Sequence, residues 1–458
     1  MEKIQIQDVV KAVNGEILNG SIENKYISSV ATDSRENMNN GLFVAIKGEK
    51  TDGHKYIKNA VENGAVSVFI SDELDEYLDN VVYIKVKDTI KALQDLATWY
   101  RLKFNIPVIA ITGSVGKTTT KDMIASVLSQ KYKVLKTQGN FNSDIGAPLT
   151  ILGLNKEHEV AVIEMGMDRA GQIDTISSIV RPSIAVITNI GVAHIEYLGS
   201  RENILKAKCE VFKNLSMGGT AILNADDDML IKVENDFSKI WYSRNANSDI
   251  QAKEVFVDYK EGLVIANVNI QNVEYKLEIP GLSEHLVYAA MSAIAVGMKC
   301  NMNIEEILEG IKNYKATKMR MDIYKLDSNS LLIDDTYNAN PDSMKSLINT
   351  VSKANVSNKI MILGDMFELG ENSLKLHMDV LEYALESNID KIVVTGENMN
   401  KAAKRIDDNR IIAFDNKEEI IQNIAEILCR NSIIAIKASR GMKFENITEK
   451  ILAKYNVL

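Results

Sequence analysis

Residues 108–119 read Val-Ile-Ala-Ile-Thr-Gly-Ser-Val-Gly-Lys-Thr-Thr, an apolar strand, a glycine-bearing turn and the start of a helix. A buried strand that feeds a helix through such a turn belongs to a parallel α/β sheet. The positive end of that helix then lies at the carboxyl edge of the sheet. Gly113 and Gly116, with Ser114 and Val115 between them, let successive backbone N–H groups curl round an anion. Lys117 meets the outer phosphates of a nucleotide, Thr118 offers its hydroxyl to Mg²⁺, and Thr119 continues a helix expected over 118–131. The spacing is short: the common phosphate loop has a glycine five positions before Gly116, where this chain has Ile111. A plain helix N-terminus that carries Lys-Thr is the competing reading. The strand before it and the helix after it favour a phosphate site.

At 458 residues the chain exceeds one ordinary core, so two or three domains are expected. A formal net charge of −9 argues against nucleic acid as a partner, because such a surface is basic. Cys209, Cys300 and Cys429 are odd in number and far apart, which points to a reducing compartment, not to a disulfide framework or a zinc site. No apolar run approaches the ~18 residues of a membrane span, and Met-Glu-Lys-Ile-Gln-Ile-Gln-Asp lacks a signal-peptide core. A cytoplasmic monomer is the expectation.

Three domains are expected. Residues 1–88 form a small α/β unit with strands near 44–46, 67–70 and 81–86 and a helix near 56–63. A helix over 89–104 opens the second unit, 89–314, whose strands at 108–112, 160–164, 184–188 and 220–223 are continuous apolar runs between helices. That pattern indicates a mostly parallel sheet covered on both faces. Residues 253–279 alternate in shorter pieces, as an antiparallel extension would, and a helix at 285–298 follows. From 315 to 458 the alternation restarts, with strands at 331–335, 360–363, 391–395, 411–414 and 433–437. This is a doubly wound, Rossmann-like domain without its own phosphate loop.

Chemistry in such sheets gathers at the carboxyl ends of strands. Glu164 ends Val-Ala-Val-Ile-Glu, and His194 lies just past the strand at 184–188. With a threonine hydroxyl these are donors that can hold Mg²⁺ about phosphates. Taken singly, Glu164 also reads as a strand-end salt bridge and His194 as a structural histidine. Lys208 on its own reads as a solvated helix lysine. In the last domain, Asp335 can accept hydrogen bonds from a ribose, and Asn338 and Asn340 can bind an amide-bearing or zwitterionic substrate. The alternative there is a turn that caps the next helix through Asp342 or Ser343. Lys437-Ala438-Ser439-Arg440 adds cations past the final strand, and Arg320 is a candidate phosphate clamp on domain closure.

Together these segments resemble the Mur ligases of peptidoglycan precursor synthesis along nearly the whole chain. Asp33-Ser34-Arg35, Gly41-Leu42-Phe43-Val44-Ala45 and Asp52-Gly53-His54 are similar to the family's UDP-sugar-binding domain. Thr112-Gly113-Ser114-Val115-Gly116-Lys117-Thr118 resembles its shortened ATP loop, and Gly139-Asn140-Phe141-Asn142 the segment facing the nucleotide sugar. Asp334-Asp335-Thr336-Tyr337-Asn338-Ala339-Asn340-Pro341 and Leu363-Gly364-Asp365-Met366-Phe367-Glu368-Leu369-Gly370 are the most specific blocks. The resemblance implies an ATP-dependent ligase that works through an acyl phosphate. It implies D-alanyl-D-alanine as acceptor and UDP-N-acetylmuramoyl-tripeptide as donor of the carboxylate. A sister ligase that adds a single amino acid is the alternative; it usually carries Asp-Asn-Pro-Arg in the corresponding region and this chain does not, which favours the dipeptide-adding member. A folylpolyglutamate-type ligase and a non-catalytic nucleotide binder are less favoured readings, the latter because it would not keep Glu164, His194 and the Tyr337-Asn338-Ala339-Asn340-Pro341 block together.

By the same resemblance Glu164, His194 and Thr118 are magnesium positions, and Lys208 falls on a lysine commonly carried as a carbamate. His285, Arg320, Asp335 and Asn338 join the loop in holding ATP. Ser34, Arg35, Lys47, Asn140, Asn142, Asn340, Ser439 and Arg440 face the other substrates. Four positions depart from the pattern. Val115 replaces a polar loop residue, Ala289 and Leu286 stand where asparagines are usual, and Ala438 replaces a glycine.

Overall fold

The computed structural model describes residues 1–48, 51–193, 195–234, 236–326 and 330–455. Its strands form a five-stranded, a nine-stranded and a six-stranded sheet in chain order, with a two-stranded ribbon beside the first. The strand Val108–Thr112 lies inside the nine-stranded sheet, between Val160–Glu164 and Ile184–Ile187, parallel to both. Alternate residues of these strands point into two separate cores. Ile109, Ile111, Val162 and Val186 pack with Met123 and Ile124 of the helix Lys117–Leu128. Val108, Ala110, Ile163 and Ile187 pack with Leu93, Leu96 and Tyr100 of the helix Thr89–Arg101. A strand buried on both faces needs apolar residues at every position, which is why these runs are continuous. Further out the sheet turns antiparallel, through Ile250–Asp258, Leu263–Ile270 and Val273–Pro280.

The first sheet orders its strands Glu16–Asn19, Val82–Lys85, Ala65–Ile70, Gly41–Val44, Ser29–Ala31. One face has a small core of its own, with Phe43, Val68 and Tyr83. On the other face, Leu42, Val44, Phe69 and Ile84 belong to the same core as the central strands. Shared apolar burial therefore welds the first sheet to the second. The third sheet runs Asp322–Leu326, Ser330–Asp334, Ser432–Lys437, Asn358–Leu363, Lys391–Thr395, Ile411–Phe414, with only its first strand antiparallel. Its two cores are its own, apart from Leu282 and the partly buried Val257 and Tyr259 of the central unit. Turning this unit against the rest costs little apolar surface.

Several elements differ from the sequence expectation. The first expected strand, at 44–46, occupies Gly41–Val44. The helix expected over 118–131 runs from Lys117 to Leu128, and the one expected to reach 104 stops at Arg101. The short strands Ile4–Gln5, Tyr26–Ile27 and Val134–Lys136 span two or three residues, too few for a periodicity to be visible. Among the described residues no helix is long and apolar enough to cross a membrane.

Candidate functional site

The turn after Val108–Thr112 is shaped by its two glycines. Gly113 has φ +148°, and a Cβ there would lie 1.9 Å from Thr188 Oγ1. Gly116 has φ +83°, caps the helix that starts at Lys117, and has open space where a Cβ would be. From the neighbouring strand end, Asn189 clamps the turn. Its Oδ1 accepts from Val115 N (3.0 Å), its Nδ2 donates to Val115 O (2.9 Å), and its carbonyl accepts from Ser114 N (3.0 Å). The Thr188 hydroxyl donates to Val115 O at 2.6 Å, and Gly191 N donates to Ser114 Oγ at 2.9 Å. The departure at Val115 thus leaves the loop held by its backbone. Sequence reasoning passed over Asn189 and Thr188. Their signal was a polar pair directly after an apolar strand that neighbours the loop strand.

Lys117 Nζ donates to Gly113 O at 2.8 Å and to Ser114 O at 3.4 Å, so its ammonium lies across the loop. Burial and the nearby Arg320 charge lower its pKa, and Glu164 opposes them. Thr118 Oγ1 donates to Glu164 Oε2 at 2.9 Å, and Asn142 Nδ2 donates to Glu164 Oε1 at 2.8 Å. Thr118 and Glu164 are buried, at 3% and 1% exposure. Asn140 lies one turn earlier and is exposed; its carbonyl accepts from Asn142 N. His194 lies outside the described residues.

Lys208 contradicts the solvated reading. It ends the helix Arg201–Lys208 at 1% exposure, and burial with the Lys117 charge beside it holds its ammonium pKa well below the usual lysine range. Arg320 stacks on the Tyr337 ring, 4.0 Å from its centroid, and its buried Nε has no hydrogen-bond partner among the described residues. Glu164, Arg320 and Lys208 therefore all lie within electrostatic reach of Lys117. An excess of positive charge with hard oxygen donors at a helix N-terminus fits phosphate oxygens and a divalent cation.

The third sheet brings a second group of named residues together. Lys437 Nζ donates to Asp335 Oδ2 at 2.5 Å and to Asn338 O at 2.8 Å, and Met321 N donates to Asp335 Oδ1 at 3.2 Å. The Asp335 carboxylate is thus already paired. The helix Pro341–Ser352 is capped by Asn340, whose Oδ1 accepts from Ser343 N (2.8 Å), and not by Asp342 or Ser343. Asp342 instead faces the central unit: its Oδ2 accepts from Val192 N at 3.4 Å. Ser439 Oγ accepts from Phe367 N (2.8 Å), and Arg440 pairs with Glu445 (2.9 Å). The exposed His285 ring stacks on Tyr288 with centroids 6.2 Å apart, just before the helix Leu286–Lys299. Ala289 and Leu286 are buried in that helix.

On the first sheet, Ser34 is buried and receives Asn59 Nδ2 on its hydroxyl at 3.0 Å. Arg35 pairs with Asp33 at 2.6 Å, an exposed contact that lowers the Asp33 carboxyl to about 2. Lys47 pairs with Asp72 at 3.0 Å. Among the described residues, no hydrogen bond or ion pair joins these three to the phosphate loop.

Comparison with known proteins gives three successive family matches. Residues 26–101 match the model of the Mur ligase family catalytic domain, 111–297 that of the Mur ligase middle domain, and 319–440 that of the Mur ligase glutamate ligase domain. The chain is 37% identical over 457 residues to the UDP-N-acetylmuramoyl-tripeptide–D-alanyl-D-alanine ligase of Bacillus subtilis, covering 99% of both chains. Among solved structures it is similar to MurF from Acinetobacter baumannii, with TM-score 0.91, 30% identity and 99% of both chains covered. It is also similar to MurF ligase from Thermotoga maritima in complex with ADP, with TM-score 0.83 and 28% identity, covering 93% of this chain and 97% of that one.

Proposed function

The chain belongs to the Mur ligase family, and from that premise we propose how its residues carry out the reaction. The enzyme is an ATP-dependent ligase that adds D-alanyl-D-alanine to UDP-N-acetylmuramoyl-tripeptide in peptidoglycan synthesis. One observation carries the assignment of roles: Lys117, at the N-terminus of the helix Lys117–Leu128, has the Glu164 carboxylate, the Arg320 guanidinium and the buried Lys208 within electrostatic reach.

A carboxylate is a poor electrophile, so the tripeptide carboxylate first attacks the γ-phosphorus of ATP and ADP departs, leaving an acyl phosphate. Lys117 and the amides of the 113–116 turn neutralise charge on the transferring group. Thr118 and Glu164, with His194 and a carbamate on Lys208, are the residues that would hold Mg²⁺. When bound, the ion supplies charge neutralisation between two anionic reactants. A buried lysine with a lowered pKa offers the free amine that adds to CO₂ and gives up a proton to become that carbamate. The amine of D-alanyl-D-alanine then attacks the acyl carbon, loses a proton, and phosphate leaves. The third sheet brings Arg320, Asp335 and Asn338 to the nucleotide and keeps water from the acyl phosphate. Ser34, Arg35, Lys47, Asn140 and Asn142 serve the UDP-sugar side, and Asn340, Ser439 and Arg440 the dipeptide side. The ATP it consumes places the reaction in the cytoplasm.

The test is Lys117→Ala with the UDP-tripeptide, ATP and a panel of D-Ala-D-Ala, D-Ala-D-Lac, D-Ala-D-Ser and diamino acids. Phosphate release falls to background while the circular dichroism spectrum stays that of the parent. Ligation by the variant at the parent rate overturns the assignment of Lys117. A diamino acid as preferred acceptor marks the sister ligase instead.

A further inference from the structure

Two polar residues on one face of the phosphate helix, Asp122 and Ser126, are spent on chain nearly two hundred residues away. Ser126 Oγ donates to Gly310 O at 2.7 Å, and the Asp122 carboxylate accepts from the Thr317 hydroxyl. Gly310 packs so closely that a Cβ there would lie 2.4 Å from Val127 Cα. The segment from 310 to 317 is therefore fixed on the helix that carries Lys117 and Thr118. Past Thr317 the chain changes character. Met319 and Met321 both take left-handed backbone conformations, at φ +63° and +56°, which L side chains seldom adopt. By Met321 the chain is held to the third sheet, through Met321 N to Asp335 and Tyr337 N to Met319 O (3.1 Å). Arg320 sits at the start of the second attachment, between Met319 and Met321, and its N still donates to Thr317 O at 3.1 Å.

Asp122 also reaches the metal side of the site. The Asp122 and Lys121 side chains are each 3% exposed. Asp122 Oδ1 pairs with Lys136 at 2.7 Å and with Lys121 at 3.3 Å. Lys121 Nζ donates to Thr137 O at 2.9 Å, and the Thr137 hydroxyl oxygen accepts from Glu164 N at 3.0 Å. One carboxylate thus ties the last fixed residue of the linker to the strand that ends in Glu164. A carboxylate buried between two lysines costs desolvation that its partners must offset, and apolar packing would serve a merely structural need as well.

We propose that Asp122 is a positioning residue for the ligation: by holding the Thr317 hydroxyl it fixes where the swivel of the third sheet begins, and so where Arg320 lands against Lys117. It acts through Arg320 and makes no contact with substrate. The inference rests on the ligase reading above. Three residues of chain span at most about 10 Å, so an anchored Thr317 confines Arg320 to a small arc, and a released one does not.

Thr317→Val is the primary test because it removes the donor and leaves the Asp122–Lys121–Lys136 group intact. Its kcat falls about tenfold or more, with KM for the UDP-tripeptide within about twofold of the parent and an unchanged melting temperature. Thr317→Ser, which restores the hydroxyl, recovers most of the loss. In an Arg320→Ala background Thr317→Val has little further effect, because both act through one side chain. A second measurement needs no acceptor: small-angle scattering with ATP shows a smaller compaction in Thr317→Val than in the parent. An inactive parent enzyme defeats the ligase reading and leaves the scattering arm to decide this one. Parent kcat and parent compaction in Thr317→Val overturn the proposal, as does a loss that adds in full to that of Arg320→Ala.

Discussion

Thr118 Oγ1 and Glu164 Oε2 lie 2.9 Å apart, joining the first turn of the phosphate helix to the end of a neighbouring strand. The two adjacent strands are in register, with Glu164 opposite Ile111, so the contact is set by the sheet and not by loop flexibility. A hydroxyl and a carboxylate held in contact need little reorganisation to share a hard cation.

Glu164→Gln keeps the shape and keeps an oxygen for Thr118 while removing the charge. Ligation should fall by about two orders of magnitude or more, and the Mg²⁺ concentration for half-maximal rate should rise. Titrating Mg²⁺ at saturating ATP checks this. An unchanged Mg²⁺ requirement would remove Glu164 from the metal site.

Lys208→Ala should lose nearly all activity, since its burial leaves no neighbour able to replace it. Short carboxylates such as acetate or formate, admitted to the space left behind, should restore part of the rate. Intact-mass measurement of the parent in bicarbonate should show one added CO₂ that disappears in the variant. Full activity of Lys208→Ala without additives rules the carbamate out.

Gly113→Ala places a methyl group where Thr188 Oγ1 already sits, 1.9 Å from the built Cβ, at a φ of +148°. The loop must shift, and with it the Thr188 and Asn189 bonds to Val115. Nucleotide affinity should fall at least about tenfold and stability by roughly 1–3 kcal/mol. Gly116→Ala meets no neighbour but is strained at φ +83°, so it should cost less. Isothermal titration with ADP separates the two, and equal losses would show that the Thr188 contact does not matter.

The parts of the site visible in the sequence are those where residue type and spacing each have one use. Gly113, Gly116, Lys117 and Thr118 are defined by a loop only a few residues long, and Glu164 by its place at the end of an apolar run. Lys208 was visible only through the family resemblance and not from its own pattern. In Arg201–Lys208 it alternates with Lys206 on a helix whose charge suggests solvent, and burial comes only from what packs on its last turn. Asp122 was hidden for the same reason more strongly: its hydroxyl partner Thr317 is 195 residues away. The doubly covered sheets were legible from continuous apolar strands. The weld between the first and second sheets was not, because Leu42, Val44 and Ile84 look alike whether they serve one core or two.

That weld carries the last prediction. Tyr100, 1% exposed, donates to Leu154 O at 2.6 Å and accepts from Glu2 N at 2.7 Å, tying the start of the chain to the central unit. Burial pushes its phenol up to about 12 from an ordinary 10. Between those values the unfolded chain gives up this proton and the folded chain keeps it, so the folded state binds more protons and stability falls as pH rises. The contribution is complete below pH 10 and is lost on the way to about 12, amounting to roughly 2–3 kcal/mol over the interval. Tyr100→Phe has no such proton. At pH 8 it should be less stable than the parent by about 1 kcal/mol, the worth of the lost hydrogen bonds. The difference should shrink and then reverse as pH passes 10, because only the parent pays for ionisation. Urea unfolding at pH 8, 10 and 11 reads the trend directly. A difference that stays constant across that range would mean the phenol ionises at its ordinary pH, and no difference at pH 8 would mean that its hydrogen bonds add nothing to stability.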